Sequence, residues 1–110
     1  VGAYKDQIAW EPLRSVDSAT LTGAYVPVGG PLLHPSYILK MVNTSTVNVT
    51  ISIDGVTDVD ICPGGSFWLY DEGKGSDAYK ISIPKGTQIF IKGAAGTGLI
   101  YLVSQYIVNT

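Results

Sequence analysis

Residues Val47–Asp71 read VNVTISIDGVTDVDICPGGSFWLYD. Val47, Val49, Ile51 and Ile53 alternate with Asn48, Thr50, Ser52 and Asp54. Successive side chains of a strand point to opposite faces, so this is a strand with one dry face. Asp54-Gly55 then supplies hairpin chemistry. Alternation resumes at Val59 and Ile61, and Pro63-Gly64-Gly65 marks a second turn before the aromatic strand Phe67-Trp68-Leu69-Tyr70. Strand, turn, strand, turn, strand within 25 residues is the signature of an all-β domain.

The rest of the chain repeats that rhythm. Ile81 and Ile83 alternate with Lys80 and Ser82, and Ile89 and Ile91 with Gln88 and Phe90, while Leu99 to Ile107 is apolar on both faces until Ser104 and Gln105. A strand apolar on both faces is expected at the centre of a sheet. Glycine and proline punctuate the intervals, at 28–31, 72–75, 84–86 and 93–98. No window carries the i, i+3, i+4, i+7 spacing of an amphipathic helix. Strands are expected near 13–21, 24–28, 36–43, 47–54, 58–62, 66–71, 78–83, 87–92 and 98–107. The fold expected is an antiparallel β-sandwich of eight or nine short strands, jelly-roll-like or immunoglobulin-like. Residues 13–110 form its single domain, and residues 1–12 are either an arm or an edge strand.

At 110 residues the chain is one domain. Only 15% of residues are charged, against about 25% in an ordinary globular protein. Few charges cover the surface, so part of it is expected to be buried against another protein. The net charge of −2 and scattered lysines exclude the basic face that nucleic acid requires. No apolar run nears the ~20 residues that cross a membrane. No basic start followed by an apolar stretch opens the sequence, so synthesis in the cytoplasm is expected. The single cysteine, Cys62, permits no internal disulfide and is expected to be a buried, inert thiol.

Asp54, Asp58 and Asp60 raise the question of chemistry. They could share a calcium ion, which takes 6–8 oxygens, but Gly55 directly after Asp54 departs from the EF-hand pattern. Aspartate also has a local reason to sit in a turn, where its side chain accepts backbone N–H bonds. The hairpin-tip reading is therefore preferred. The lone histidine, His34, lies between Leu33 and Pro35; one histidine and one distant cysteine make neither a zinc site nor a triad. The glycine-rich 93–98 run precedes an apolar strand instead of the helix that a phosphate loop needs. No catalytic residue, metal ligand or cofactor is expected. Tyr4, Trp10, Trp68 and Tyr70 are the candidate protein-contact residues, since tyrosine and tryptophan are enriched in interfaces. If Phe67 and Leu69 point into the core, Trp68 and Tyr70 look outward.

The phrases Ile53-Asp54-Gly55-Val56-Thr57-Asp58, Pro63-Gly64-Gly65 with the aromatic strand and Asp71, Pro84-Lys85-Gly86-Thr87-Gln88-Ile89-Phe90-Ile91-Lys92-Gly93 and Gly98-Leu99-Ile100-Tyr101-Leu102 together resemble small virion proteins of tailed bacteriophages. Within that group the size is similar to the capsid decoration (cement or staple) proteins of short-tailed phages. The likeness runs from Leu32 to the C-terminus and leaves the N-terminal segment unmatched. It implies a jelly-roll-like fold, no catalysis, no cofactor, location on the capsid surface of the virion, and binding to the outer face of the major capsid protein as a symmetric homo-oligomer. A head–tail connector or tail accessory protein, or a small carbohydrate-binding module with Trp68 and Tyr70 as its sugar platform, would suit the same composition.

Overall fold

The structure is a computed structural model that describes residues 6–36, 38–71 and 83–109. Nine strands lie among the described residues: β1 (Asp6–Trp10), β2 (Arg14–Asp17), β3 (Val26–Pro27), β4 (Ile38–Asn43), β5 (Val49–Ser52), β6 (Asp60–Cys62), β7 (Ser66–Asp71), β8 (Phe90–Lys92) and β9 (Leu99–Asn109). One 3-10 turn, Ser18–Thr20, follows β2 and is capped by the Asp17 carboxylate. The protein is an antiparallel β-sandwich, as its alternation predicts. One sheet runs β1-β9-β4-β7 with β2 also on β9; the other runs β3-β8-β5-β6. The expected strand at 78–83 lies outside the described residues except for Ile83, which bridges Ser36.

β9 organises the first sheet. Along one side it pairs with β1 through Gln105–Asn109 and with β2 through Leu99–Leu102. Along its other side it pairs with β4, from Ile38↔Gln105 to Asn43↔Ile100. This explains why its sequence is apolar on both faces: it is central, as expected. The N-terminal segment is an edge strand over residues 6–10. Tyr4 lies outside the described residues.

The inner faces meet in one core. Leu39, Met41, Ile100 and Leu102 come from the first sheet, and Val49, Ile51, Cys62 and Ile91 from the second. Leu21, Val28, Leu32 and Ile89 close it from the connections. Each such side chain contributes about 1.5–3 kcal/mol by leaving water. Cys62 is fully buried, and burial pushes its thiol pKa up.

A polar latch joins the sheets where β4 ends. Asn43 is buried; its Nδ2 donates to the carbonyls of Val47 (2.9 Å) and Cys62 (3.1 Å). Its Oδ1 accepts from Ser45 N (3.0 Å) and Ser45 Oγ (2.5 Å). The amide therefore spends all its bonding capacity inside the protein, which is what makes a buried polar side chain tolerable. Close by, Gly98 holds φ +104, and a Cβ there would lie 2.7 Å from the Thr44 carbonyl oxygen. Only glycine lets the chain turn into β9 this close to β4.

Asn43→Ala strands two carbonyls and a serine at once. It is expected to destabilise the fold by about 3 kcal/mol, read as a lower urea midpoint with unchanged slope.

Candidate functional site

The outer face of the five-stranded sheet follows from register. Met41 and Leu102 point inward, so Lys40 with Val103, Val42 with Tyr101, and Ile38 with Gln105 point outward. Across β7 the same rows continue as Leu69 beside Lys40 and Phe67 beside Val42. Across β1, Trp10 continues the row of Gln105. Trp10 is 62% exposed, Phe67 61%, Leu69 48% and Ile8 42%. Among the side chains described on this face, Lys40 and Asp17, the latter opposite Leu99 and capping the 3-10 turn, carry charge. At one end lies an open hollow of about 610 Å³, lined by Lys40, Val42, Thr44, Gly65, Ser66 and Phe67.

β7 runs with the opposite parity to the one expected. Trp68 and Tyr70 turn inward and pack against the core, while Phe67 and Leu69 face out. Apolar residues occupy both faces of this strand, so period two alone does not choose between them. The indole N–H does choose: Trp68 Nε1 donates to Asp60 Oδ2 at 2.5 Å. That bond runs from β7, at the edge of one sheet, to β6, at the edge of the other. Of the four candidate contact residues, the structure places Trp10 on the open face and Trp68 and Tyr70 against the core.

The three aspartates go to three separate tasks. Asp54 Oδ1 accepts from Val56 N (2.8 Å), Thr57 N (2.7 Å) and Ser52 Oγ (2.8 Å), and these bonds hold its carboxyl well below the usual range. Gly55 supplies the turn with φ +80. Asp58 accepts from the Tyr25 hydroxyl and from Lys92 Nζ at 3.0 Å; both hold its carboxyl down. Lys92 sits 4.7 Å from the Tyr25 ring centroid. Loss of solvent, and then the Asp58 bond, push the Tyr25 pKa up to about 12. Asp60 serves Trp68 and the amide of Ile61. Among the described residues no three His, Cys, Asp or Glu side chains are placed to hold a metal together. The stretch works as a rigid hairpin tip, and Val56 stands at its end, 80% exposed.

A buried ionic cluster escaped the sequence reading. Between β1 and β2 the chain breaks at Glu11-Pro12-Leu13, and the Glu11 carboxylate turns inward. Its Oε1 accepts from Arg14 Nη2 (2.7 Å) and Leu33 N (3.1 Å). Its Oε2 accepts from His34 N (2.8 Å) and lies 3.2 Å from His34 Nδ1. Arg14 also donates to the carbonyls of Gly30 (3.1 Å) and Pro31 (3.0 Å). The His34 ring stacks on Tyr106 at 3.7 Å between centroids. The cluster ties the β1–β2 break to the 29–34 loop. The available signal was that Arg14 is the chain's only arginine, beside an acid, in a stretch otherwise poor in charge. Four of the bonds hold loop backbone, at Gly30, Pro31, Leu33 and His34.

Burial raises the Glu11 pKa, but the bonds from Arg14, Leu33 and His34 outweigh it and leave it below its ordinary 4.5. A depressed folded-state pKa gives stability that is complete above the unfolded value and lost as pH falls through the folded one. Glu11→Gln is expected to lower stability by about 3 kcal/mol at neutral pH. In urea melts stepped from pH 7 into acid, the gap between variant and wild type narrows below the ordinary carboxylate range.

No family model matches the chain, and no curated protein matches it. Among solved structures it is similar to the SPP1 Dit (gp 19.1) protein, described as a paradigm of the hub adsorption apparatus in Gram-positive-infecting phages. The identity is 15% and the TM-score 0.41 over 90% of this chain and 49% of that one. The chain thus spans about half the length of that protein, and at this level the likeness establishes no shared role.

Proposed function

We propose that this chain is a non-enzymatic structural protein of a tailed-bacteriophage particle, and within it a decoration protein lying on the outer face of the major capsid protein. The observation that carries this reading is the open face of the five-stranded sheet. Trp10 and Ile8 stand exposed at one side of it and Leu69 and Phe67 at the other, with Lys40 and Asp17 the charged side chains described there, and soluble monomers rarely leave so much apolar surface uncovered on one face. The sequence resemblance to decoration proteins supports the same reading. So does the strand order. With β1 and β2 counted as one interrupted strand, the sheets run first–eighth–third–sixth and second–seventh–fourth–fifth, which we read as a jelly roll.

The mechanism is contact. Docking removes apolar surface from water at about 25 cal/mol per Å². A copy that bridges neighbouring shell subunits adds contacts that must break before the shell opens under the outward pressure of packaged DNA. Many copies on one particle sum by avidity even when each binds modestly. The sugar-binding alternative needs Trp68 and Tyr70 as an open platform, and both pack against the core.

Purified chain added to heads assembled without it is expected to bind saturably, at symmetric positions visible by electron cryomicroscopy. Trp10→Glu is expected to cost roughly tenfold or more in affinity without changing the melting temperature. Binding to isolated tails instead of heads would make it a tail accessory protein. Binding to neither would overturn the virion reading.

A further inference from the structure

Two exposed surfaces of the chain are both apolar and carry opposite charge. The hollow beside Asn43 has apolar walls, Val42 and Phe67, with Lys40 beside them. The hairpin tip has the inverse character. Val56 projects at 80% exposure, Ile53 and Val59 are 55% and 51% exposed, and the carboxylates of Asp54 and Asp58 flank them. Bonds within the turn fix the shape of the tip before it meets anything, so little ordering remains to be done on contact.

The two surfaces cannot meet within one molecule. The tip leaves β5 after Ser52. The hollow lies next to Gly65, near the opposite end of β5, where Val49 pairs with Cys62. The tip also belongs to the four-stranded sheet, and the hollow opens on the outer face of the other.

We propose that the hairpin tip of one copy seats in the hollow of the next, Val56 against Val42 and Phe67, with the exposed Asp54 carboxylate on the Lys40 ammonium. Each copy then uses two different patches, so the contact is heterologous. It closes into a ring or continues as a filament according to the rotation per step. A two-fold contact centred on the hollow would instead bring Lys40 toward its own copy, and like charges facing each other across an interface are unfavourable. The contact leaves Trp10 and Ile8, on the far side of the sheet, open for another partner. It stands independently of the virion reading, because it needs only this chain.

The test is complementation between two defective variants. Val56→Glu disables the tip and Phe67→Glu the hollow; both residues are exposed, so the fold should survive, as circular dichroism and melting temperature would confirm. In sedimentation velocity the wild-type chain is expected to form species larger than a dimer as concentration rises, and to lose them in high salt. Each variant alone stays monomeric. Mixed in equal amounts they form a one-to-one dimer and nothing larger, because one intact tip meets one intact hollow. Lys40→Glu replaces Phe67→Glu should that variant lose its fold. The proposal is overturned by a wild-type chain that stays monomeric or stops at a dimer, by a single variant that still assembles, or by a mixture that remains monomeric.

Discussion

The structure depends on β9 being shared. Eleven residues, Leu99–Asn109, carry β1 and β2 on one side and β4 on the other. Period-two geometry makes that arrangement unforgiving, because a slip of one residue would exchange every inward side chain for an outward one. Ile100, Leu102 and Ser104 point in and are buried, which sends Tyr101, Val103 and Gln105 out. From those positions the facing of β4, β7 and β1 follows through the ladders. The apolar outer face and its hollow are therefore consequences of one register.

Much of this was legible from residues. The strand expected over 47–54 is present at Val49–Ser52, with Val49 and Ile51 on the dry face, but Ile53 has left the strand and is exposed at the tip; Asp54-Gly55 makes the turn that its chemistry announces. β9 showed its central position by being apolar on both faces. The places that resisted are those where sequence distance or symmetry hides the cause. Phe67-Trp68-Leu69-Tyr70 is apolar on either parity, and its facing was set by Asp60, a hydrogen-bond acceptor on a neighbouring strand edge. The Glu11, Arg14 and His34 cluster joins residues more than 20 positions apart. No spacing rule announces such a cluster; only the oddity of a lone arginine in a charge-poor chain hinted at it.

The low charge content is now easier to understand. Among the described side chains, most charges meet partners within the chain: Glu11 meets Arg14 and loop amides, Asp54 Oδ1 its own turn, Asp58 Tyr25 and Lys92, Asp60 Trp68. On the outer face of the first sheet, the charges among the described side chains are Lys40 and the turn-capping Asp17. The protein thus keeps most of its described electrostatics in loops and seams, which they stiffen, and leaves the outer face of the first sheet largely apolar.

The position of β9 also governs the order of events during folding. Every other strand of the first sheet precedes it along the chain, and β1, β2 and β4 all lack their main partner until it has been made. The growing polypeptide cannot complete that sheet before β9 has left the ribosome. It must hold strands with open edges in reserve, and the sheet then closes in a late, long-range step of the kind that slows β-rich proteins. Exposed edges are prone to mispairing, so the interval before closure is when this chain is most vulnerable to aggregation.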